Sequence, residues 1–226
     1  LFQQYGLSEV AVVDDHGRLV GTITFDDMVG VMNEESEEDV LRLGGVAETD
    51  LHASVFETTR KRFLWLLINL GTAVLASLVI GVFQGTIQQI VALAVLMPIV
   101  ASMGGNAGTQ AMTVAVRALA TKDLTRANAL RVIAKEIMVG LLNGILFAVL
   151  MGLVAWLWFH DPKLGLVIGL AMTANLLVAG MSGALIPLLL DRFNIDPAVA
   201  AGVFLTTVTD VVGFFVFLAL GAVILL

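Results

Sequence analysis

One uncharged stretch constrains the fold of this chain more than any other feature of the sequence. No Asp, Glu, Lys or Arg occurs in the 54 residues from Phe63 to Val116. A helix needs about 20 apolar residues to cross roughly 30 Å of hydrocarbon. The stretch therefore predicts two membrane spans, and the polar cluster at residues 84–89 predicts the break between them.

Three further apolar runs, at residues 137–159, 164–190 and 198–226, are each long enough to span a bilayer. The sequence thus predicts an all-α polytopic membrane protein with five transmembrane helices per chain. The composition agrees, because 58% of the residues are hydrophobic and only 14% are charged. An odd number of spans places the two ends of the chain on opposite sides of the membrane.

The basic residues of the short loops predict the orientation. Nine of them fall on one face of the predicted bundle, and only Lys163 falls on the other. The nine are Arg60, Lys61, Arg62, Arg117, Lys122, Arg126, Arg131, Lys135 and Arg192. Loops rich in Lys and Arg stay in the cytoplasm. We therefore expect a cytoplasmic amino end in the inner or plasma membrane, with Leu226 on the opposite side.

The first 59 residues differ in character, since they hold 13 of the 19 acidic residues and only two bases. A β-branched run from Val10, a turn at residues 14–17 and a second run from Leu19 predict two strands. Thr24 and Asp27 then have the spacing of a helix cap. Residues 21–28 resemble the closing half of a CBS motif, so we expect the sequence to be a fragment of a longer protein.

An acidic cluster follows, with five carboxylates in six residues: Glu34, Glu35, Glu37, Glu38 and Asp39. Such a run is commonly a solvated helix face. It also fits a divalent-cation sensor, because closely spaced carboxylates relieve their repulsion by sharing a hard cation. The sequence leaves both interpretations open.

Asp210 is the only charged side chain between Ala198 and Leu226. A carboxylate at mid-span costs about 2.5 to 3.5 kcal/mol on insertion scales and by default marks an ion or proton path. Thr206 one turn earlier continues a small, polar stripe on the same helical face. The alternative is a protonated Asp210 that hydrogen-bonds within the bundle.

Span 2 carries a second polar group behind Pro98, where Asn106 and Gln110 share a helical face. The glycines there predict either carbonyls freed to line a pathway or close packing through Gly104-x-x-x-Gly108. We leave these two open, and we expect packing at Gly140-x-x-x-Gly144 and Gly165-x-x-x-Gly169. An all-oxygen environment suits a hard cation, but composition does not choose among Mg²⁺, Ca²⁺ and Mn²⁺.

Enzyme functions find little support, and we expect no catalytic residue. The sequence has no Cys, no phosphate-binding Gly-x-x-x-x-Gly-Lys loop and no His-Glu-x-x-His motif. Gly180-Met181-Ser182-Gly183 is similar to the nucleophile segment of rhomboid proteases, but that serine needs a histidine base at its own depth. None of the three histidines lies deep in a span, so we interpret Ser182 as a packing residue.

Taken together, these segments resemble the MgtE family of magnesium channels and transporters along nearly the whole chain. The matching segments are the CBS-like ending, Leu43-Gly44-Gly45-Val46, the basic entry at Arg60-Lys61-Arg62, Pro98 with Gly104-Gly105-Asn106-Ala107-Gly108-Thr109-Gln110, Val116-Arg117-Ala118-Leu119-Ala120-Thr121-Lys122-Asp123-Leu124, Asp196-Pro197-Ala198, and Thr206-Thr207-Val208-Thr209-Asp210-Val211-Val212-Gly213.

The resemblance implies a homodimer with spans 2 and 5 around a central pore. Asp210 matches the family's pore carboxylate, and Gly105 and Asn106 match its Gly-Asn motif. Glu35, Glu38 and Asp39 are similar to part of a cytosolic magnesium-sensing patch. The implied domains are the end of a CBS domain with the acidic cluster at 1–40, a connecting helix or linker at 41–62 and a pore domain at 63–226.

The leading hypothesis is Mg²⁺-selective, channel-like uptake, with hydrated Mg²⁺ held by Asp210 and gating by Mg²⁺ at the acidic cluster. The alternatives are a proton-coupled divalent-cation carrier and a membrane-anchored nucleotide-sensing module. An adenosine nucleotide would need the part of the CBS domain upstream of residue 1. The expected partners are a second copy of the chain, the lipid bilayer and divalent cations, without nucleic acid.

Overall fold

The computed structural model of this chain describes residues 2–44, 46, 54–125 and 127–226, with the backbone alone at residues 3, 4, 35, 36 and 39. The chain divides into two compact units, Leu1–His52 and Ala53–Leu226. The first contains a short helix, a two-stranded sheet and a helix, and the described part of the second consists of helices joined by short connections.

In the first unit, helix α1 (Phe2–Tyr5) precedes strands β1 (Glu9–Val13) and β2 (Leu19–Thr24), which pair antiparallel with Val10 opposite Ile23. The turn between them is closed by Asp14, whose Oδ1 accepts hydrogen bonds from the backbone N–H groups of His16 and Arg18 at 2.9 Å. Gly17 takes φ +77°, a conformation that glycine adopts without strain. The predicted order of strand, turn, strand and helix is confirmed.

Helix α2 (Phe25–Leu43) begins in the predicted way. The Thr24 hydroxyl accepts a hydrogen bond from the Asp27 N–H at 3.2 Å, while the Asp27 carboxylate accepts one from the Thr24 N–H at 2.9 Å. This reciprocal capping box satisfies two backbone donors that the first turn of a helix leaves unpaired. The helix carries the acidic cluster along its second half.

Five long helices make up the second unit: α3 (Val55–Val82), α5 (Val91–Ala120), α6 (Ala129–Phe159), α7 (Pro162–Arg192) and α8 (Pro197–Leu225). All five are long and apolar enough to cross a membrane, which confirms the predicted five spans. The polar break at residues 84–89 forms the short helix α4 (Gln84–Gln89). Helix α3 starts at Val55, eight residues before the uncharged stretch, because Ser54 caps it and its charged first turns remain helical.

Helix α7 lies at the centre of the second unit and packs against α5, α6 and α8. Its contact with α6 runs through glycines along the whole length of both helices. A Cβ added at Gly140 would lie 2.5 Å from the Leu176 carbonyl oxygen, and one at Gly144 would lie 2.9 Å from Thr173 Cα. Gly165 faces Gly152 in the same way. The packing predicted for Gly140, Gly144, Gly165 and Gly169 is therefore confirmed, since Gly169 lies against Ala148.

Helices α5 and α8 pack antiparallel to one another. A Cβ at Gly108 would lie 2.7 Å from Leu205 Cδ1, and a Cβ at Gly221 would lie 2.9 Å from Leu93 Cδ1. These two contacts set the register of the pair. Around them, the fully buried side chains of α5, α7 and α8 form one apolar core that includes Leu93, Leu96, Val100, Ile168, Met172, Leu176, Phe217 and Leu218.

Candidate functional site

A polar stripe runs along the exposed face of helix α5. Ser102, Asn106, Thr109 and Thr113 recur at helical spacing, all four are exposed, and Gln110 is exposed beside them. The opposite face is buried and consists of small and apolar residues, Val100, Gly104, Gly108, Ala111 and Ala115. One helix therefore presents apolar residues to the core and hydroxyl and amide groups to its surroundings.

The helix passes Pro98 and the glycines without a break. Gly104 and Gly108 face neighbouring helices, so the close-packing interpretation of this pair is confirmed. Gly105 and Asn106 point elsewhere, because the next residues along a helix are rotated by about 100° each. Nothing lies within 4 Å of a Cβ added at Gly105, and its carbonyl oxygen accepts a hydrogen bond from the Thr109 hydroxyl at 2.8 Å.

Helix α8 carries the carboxylate. Asp210 is half-buried and Thr206, one turn earlier, is exposed. The hydroxyls of Thr206, Thr207 and Thr209 donate hydrogen bonds back to carbonyl oxygens of the preceding turn, Gly202, Val203 and Leu205, at 2.6 to 3.1 Å. Their hydroxyl hydrogens are thereby engaged, and the lone pairs of the exposed Thr206 oxygen remain free to accept.

The packing of α5 against α8 brings the two polar groups to one depth. With Leu93 beside Gly221 and Gly108 beside Leu205, Asp210 lies at the level of Met103 and Gly104. Asn106 is two to three residues away, about 3 to 5 Å along the axis at 1.5 Å per residue. The structure thus aligns Asp210, Asn106 and Gly105 in depth, although they are about 100 residues apart in the chain.

Sequence reasoning missed Asn175, which lies at the middle of α7. Its side chain is 1% exposed, and its Nδ2 donates a hydrogen bond to the Val100 carbonyl of α5 at 2.8 Å. Its Oδ1 is the one buried side-chain nitrogen or oxygen without a partner among the described residues. Leaving such an acceptor unpaired costs about 1 to 3 kcal/mol. Asn175 is the only amide in the apolar run of span 4, a feature that could have drawn attention to it.

Ser182 behaves as the packing residue that was predicted. It is buried, and its hydroxyl donates to the Val178 carbonyl of its own helix at 2.6 Å. A hydroxyl held by the preceding turn is a common arrangement in membrane helices.

The part of the chain that the structure describes contains no group of three or more His, Cys, Asp or Glu side chains that could hold a metal ion. In the acidic cluster, Glu38 pairs with Arg42 at 2.7 Å, one turn further along α2. The side chains of Glu35 and Asp39 lie outside the described residues.

Comparison with known proteins gives the family. A profile described as MgtE, divalent cation transporter, matches residues 97–220, more than half of the chain. The chain belongs to the MgtE family. The matched MgtE region covers most of α5 and α8 and all of α6 and α7, and it includes Asn106, Asn175, Thr206 and Asp210. Five of its helices are long and apolar enough to cross a membrane, so this family member is a multi-pass membrane protein.

Two curated MgtE relatives illustrate how far the similarity extends. A magnesium transporter MgtE of Enterococcus faecalis is 35% identical over 92% of this chain and 46% of its own length. The magnesium transporter MgtE of Thermus thermophilus is 35% identical over 100% of this chain and 50% of its own length. The chain therefore spans about half the length of the curated relatives it matches.

Proposed function

We propose that this protein is a magnesium channel of the inner or plasma membrane, through which Mg²⁺ enters the cell passively. The observation that carries the proposal is the exposed polar stripe of α5 at the depth of Asp210. Polar groups in the hydrocarbon region are expected to face protein or a water-filled cavity rather than lipid. A stripe of this kind on a membrane helix is best explained as the wall of a pathway.

A second copy of the chain would complete the pathway. Two-fold pairing through α5 and α8 would place two copies of Asp210 around one axis, giving a charge of −2 opposite a divalent cation. The same pairing would remove the polar stripe from lipid. We therefore propose a homodimer whose pore is lined by α5 and α8.

The residue types suit a hydrated magnesium ion. Mg²⁺ prefers oxygen ligands and dehydrates reluctantly, so a path for it needs few direct protein ligands. In this mechanism Asp210 attracts and holds the ion with its water shell. The Asn106 amide orients the waters, the missing side chain of Gly105 leaves room for them, and the Thr206 oxygen accepts hydrogen bonds from them. The membrane potential supplies about 2.3 kcal/mol per charge per 100 mV.

In this proposal, the acidic cluster of α2 regulates the opening of the Mg²⁺ pathway. With the amino end in the cytoplasm and Leu226 on the other side, helix α2 samples internal Mg²⁺. Glu38 and its neighbours Glu35 and Asp39 would bind the ion when its internal concentration is high and close the pathway. The Glu38 to Arg42 ion pair would have to exchange for a metal ion when this happens.

The test is Mg²⁺ flux into liposomes at fixed pH under an imposed potential, with Ca²⁺ as competitor. We expect Asp210→Ala to abolish flux of the folded dimer. We expect Asp191→Asn, which neutralises an exposed carboxylate at the end of α7, to leave flux unchanged. Equal flux in wild type and Asp210→Ala, or no flux in a folded wild-type dimer, would overturn the proposal. A requirement for a proton gradient would replace the channel with a proton-coupled carrier.

A further inference from the structure

The amide of Asn175 is held between the two helices that carry the polar groups. Its Nδ2 donates to Val100 of α5 at 2.8 Å. A Cβ added at Gly104 of α5 would lie 2.8 Å from Asn175 Cγ, and a Cβ added at Gly213 of α8 would lie 2.7 Å from Asn175 Nδ2. One buried side chain of α7 therefore lies directly against the backbones of both α5 and α8.

The two glycines are the reason that this approach is possible. Even an alanine at Gly104 or Gly213 would bring its methyl group closer to the amide than Cβ atoms approach other heavy atoms in folded proteins. Both sites lie in helix interiors, where glycine is otherwise unfavourable. The three residues thus form one size-matched contact, in which the amide occupies the space that two missing side chains leave.

The polarity of Asn175 is not required to fill that space. A leucine has the same number of side-chain heavy atoms and the same branching, and it would leave no unpaired oxygen in an apolar core, whereas Asn175 Oδ1 has no partner among the described residues. What leucine could not do is donate a hydrogen bond to α5. The amide therefore contributes a directional link to the Val100 carbonyl, across 75 residues of sequence.

We infer that Asn175 is a positioning residue that sets the separation of α5 and α8 at the depth of Asp210. Gly213 lies three residues after Asp210, less than one helical turn, so the position of the Gly213 backbone sets the position of the carboxylate. On the other side, the link to Val100 holds α5 six residues before Asn106, about 9 Å along the helix axis. This inference rests on the proposed magnesium pathway, since the placement of α5 relative to α8 sets where Asp210 and Asn106 stand on the wall that a hydrated ion passes.

The experiment compares Asn175→Leu with Ser182→Ala in the full chain. Both changes remove a buried polar group from α7, but Ser182 bonds only within its own helix. The readouts are the Mg²⁺ concentration that gives half-maximal liposome flux, the ratio of Mg²⁺ to Ca²⁺ flux, and the rise in melting temperature that each ion produces. We expect Asn175→Leu to shift the half-maximal Mg²⁺ concentration and the Mg²⁺ to Ca²⁺ flux ratio by on the order of tenfold, because small misplacements of binding groups are costly. It should also reduce the rise in melting temperature that Mg²⁺ produces. Ser182→Ala should shift none of them.

A second pair of variants keeps the inference testable if Asn175→Leu fails to fold. Gly213→Ala adds a methyl group against the amide, and Asn175→Ser in the same chain makes room for it. We expect Gly213→Ala alone to change the Mg²⁺ to Ca²⁺ ratio and the double variant to restore part of it. A ratio that stays at the wild-type value in both Asn175→Leu and Gly213→Ala would overturn the inference.

The outcome separates this inference from the proposed channel. If Asp210→Ala abolishes flux while the Asn175 and Gly213 variants keep wild-type selectivity, only the positioning role is lost. If wild type carries no flux but binds Mg²⁺, and Asn175→Leu lowers the Mg²⁺-induced rise in melting temperature, the channel fails and the positioning role stands.

Discussion

Asp27 shows how a single carboxylate acquires a structural task from its local sequence. The Thr24 hydroxyl donates to Asp27 Oδ2 at 2.7 Å, and the Thr24 backbone N–H donates to the same oxygen at 2.9 Å. These hydrogen bonds favour the charged form, and they hold the pKa of the Asp27 carboxyl below its usual range. Both partners lie within three residues, so the arrangement could be predicted from the order of residue types.

The lowered pKa gives a prediction for acid solution. Since the pKa is lower in the folded chain than in the unfolded chain, the cap contributes its full stability above the unfolded value of about 3.9. That contribution is lost as the pH falls through the folded pKa. We expect hydrogen exchange in the first turn of α2, corrected for intrinsic rates, to accelerate as the pH falls below about 4, the unfolded pKa of an aspartate, and onward through the lower folded pKa.

The matched variants for this experiment are Asp27→Ala and Asp26→Ala. Each removes one carboxylate from the first turn of α2, but only Asp27 belongs to the capping box. Asp27→Ala should give fast exchange already at neutral pH, and Asp26→Ala should retain the wild-type pH profile. Identical profiles in the two variants would show that the cap does not control this turn.

Asp210 and Asn175 are residues whose surroundings come from distant segments. A carboxylate inside a span is easily recognised in the sequence, because few charges are tolerated there. An asparagine is less easily recognised, and its hydrogen bond to Val100 joins helices that are far apart in the chain. The sequence marks Asp210 as a candidate site, whereas it gives no such indication for Asn175.

The pair of helices α6 and α7 shows what glycine does at the level of secondary structure elements. Without a hydrophobic driving force between helices inside lipid, association depends on close packing, and small residues allow it. Gly140, Gly144 and Gly152 of α6 lie against the backbone of α7, while Gly165 and Gly180 of α7 lie against the backbone of α6. Together these glycines keep the two helices in close contact between Gly140 and Gly152 of α6 and between Gly165 and Gly180 of α7.

Alanine substitutions at two glycines should have opposite effects on stability. At Gly140 the new methyl group would meet the Leu176 carbonyl oxygen at 2.5 Å, so we expect a loss of about 1 to 3 kcal/mol from overpacking. At Gly71 of α3 nothing lies within 4 Å, and Gly→Ala there should gain roughly 0.5 to 1 kcal/mol from helix propensity. Thermal unfolding of the purified protein in one detergent measures both, and a stabilised Gly140→Ala would contradict the packing role.

On the scale of the whole molecule, the distribution of polarity over the surface distinguishes the helices. Helix α6 presents apolar side chains such as Leu146 and Val149 to its surroundings, with 63% and 68% of their surfaces exposed. Helix α5 presents a polar stripe instead. The first surface suits lipid and the second suits water or another protein chain. This difference is what favours a dimeric pore over five helices that only anchor the chain.

The absence of cysteine makes this proposal easy to test. Single cysteines can be placed at Thr109 on the polar stripe and at Val149 on the apolar surface of α6. We expect a charged, membrane-impermeant thiol reagent to modify Thr109→Cys and not Val149→Cys, with Mg²⁺ slowing the reaction. The particle mass in detergent, corrected for bound detergent, should be twice the 24.0 kDa of one chain. A monomeric mass, or equal reactivity at the two positions, would contradict the pore.

By itself, the sequence determined the features that depend on local chemistry. Hydropathy over about 20 residues is enough to define a span, so the five helices and the break at residues 84–89 were predictable. Capping at Thr24, packing at Gly140 and Gly144, and the choice of Asp210 as a candidate site also follow from a few neighbouring residue types. Each of these depends on interactions within one or two turns, or on the cost of a charge in hydrocarbon.

Only the tertiary structure decided which helices share a depth and which faces are covered. The register of α5 against α8, which aligns Asn106 with Asp210, results from contacts such as Gly108 with Leu205. The role of Gly104 depended on the same packing, because a glycine pair in the sequence does not reveal its partner. Asn175 gained its significance only when three helices met around it. Such contacts join residues about 40 to 130 positions apart, and they reflect the packing of all the helices at once.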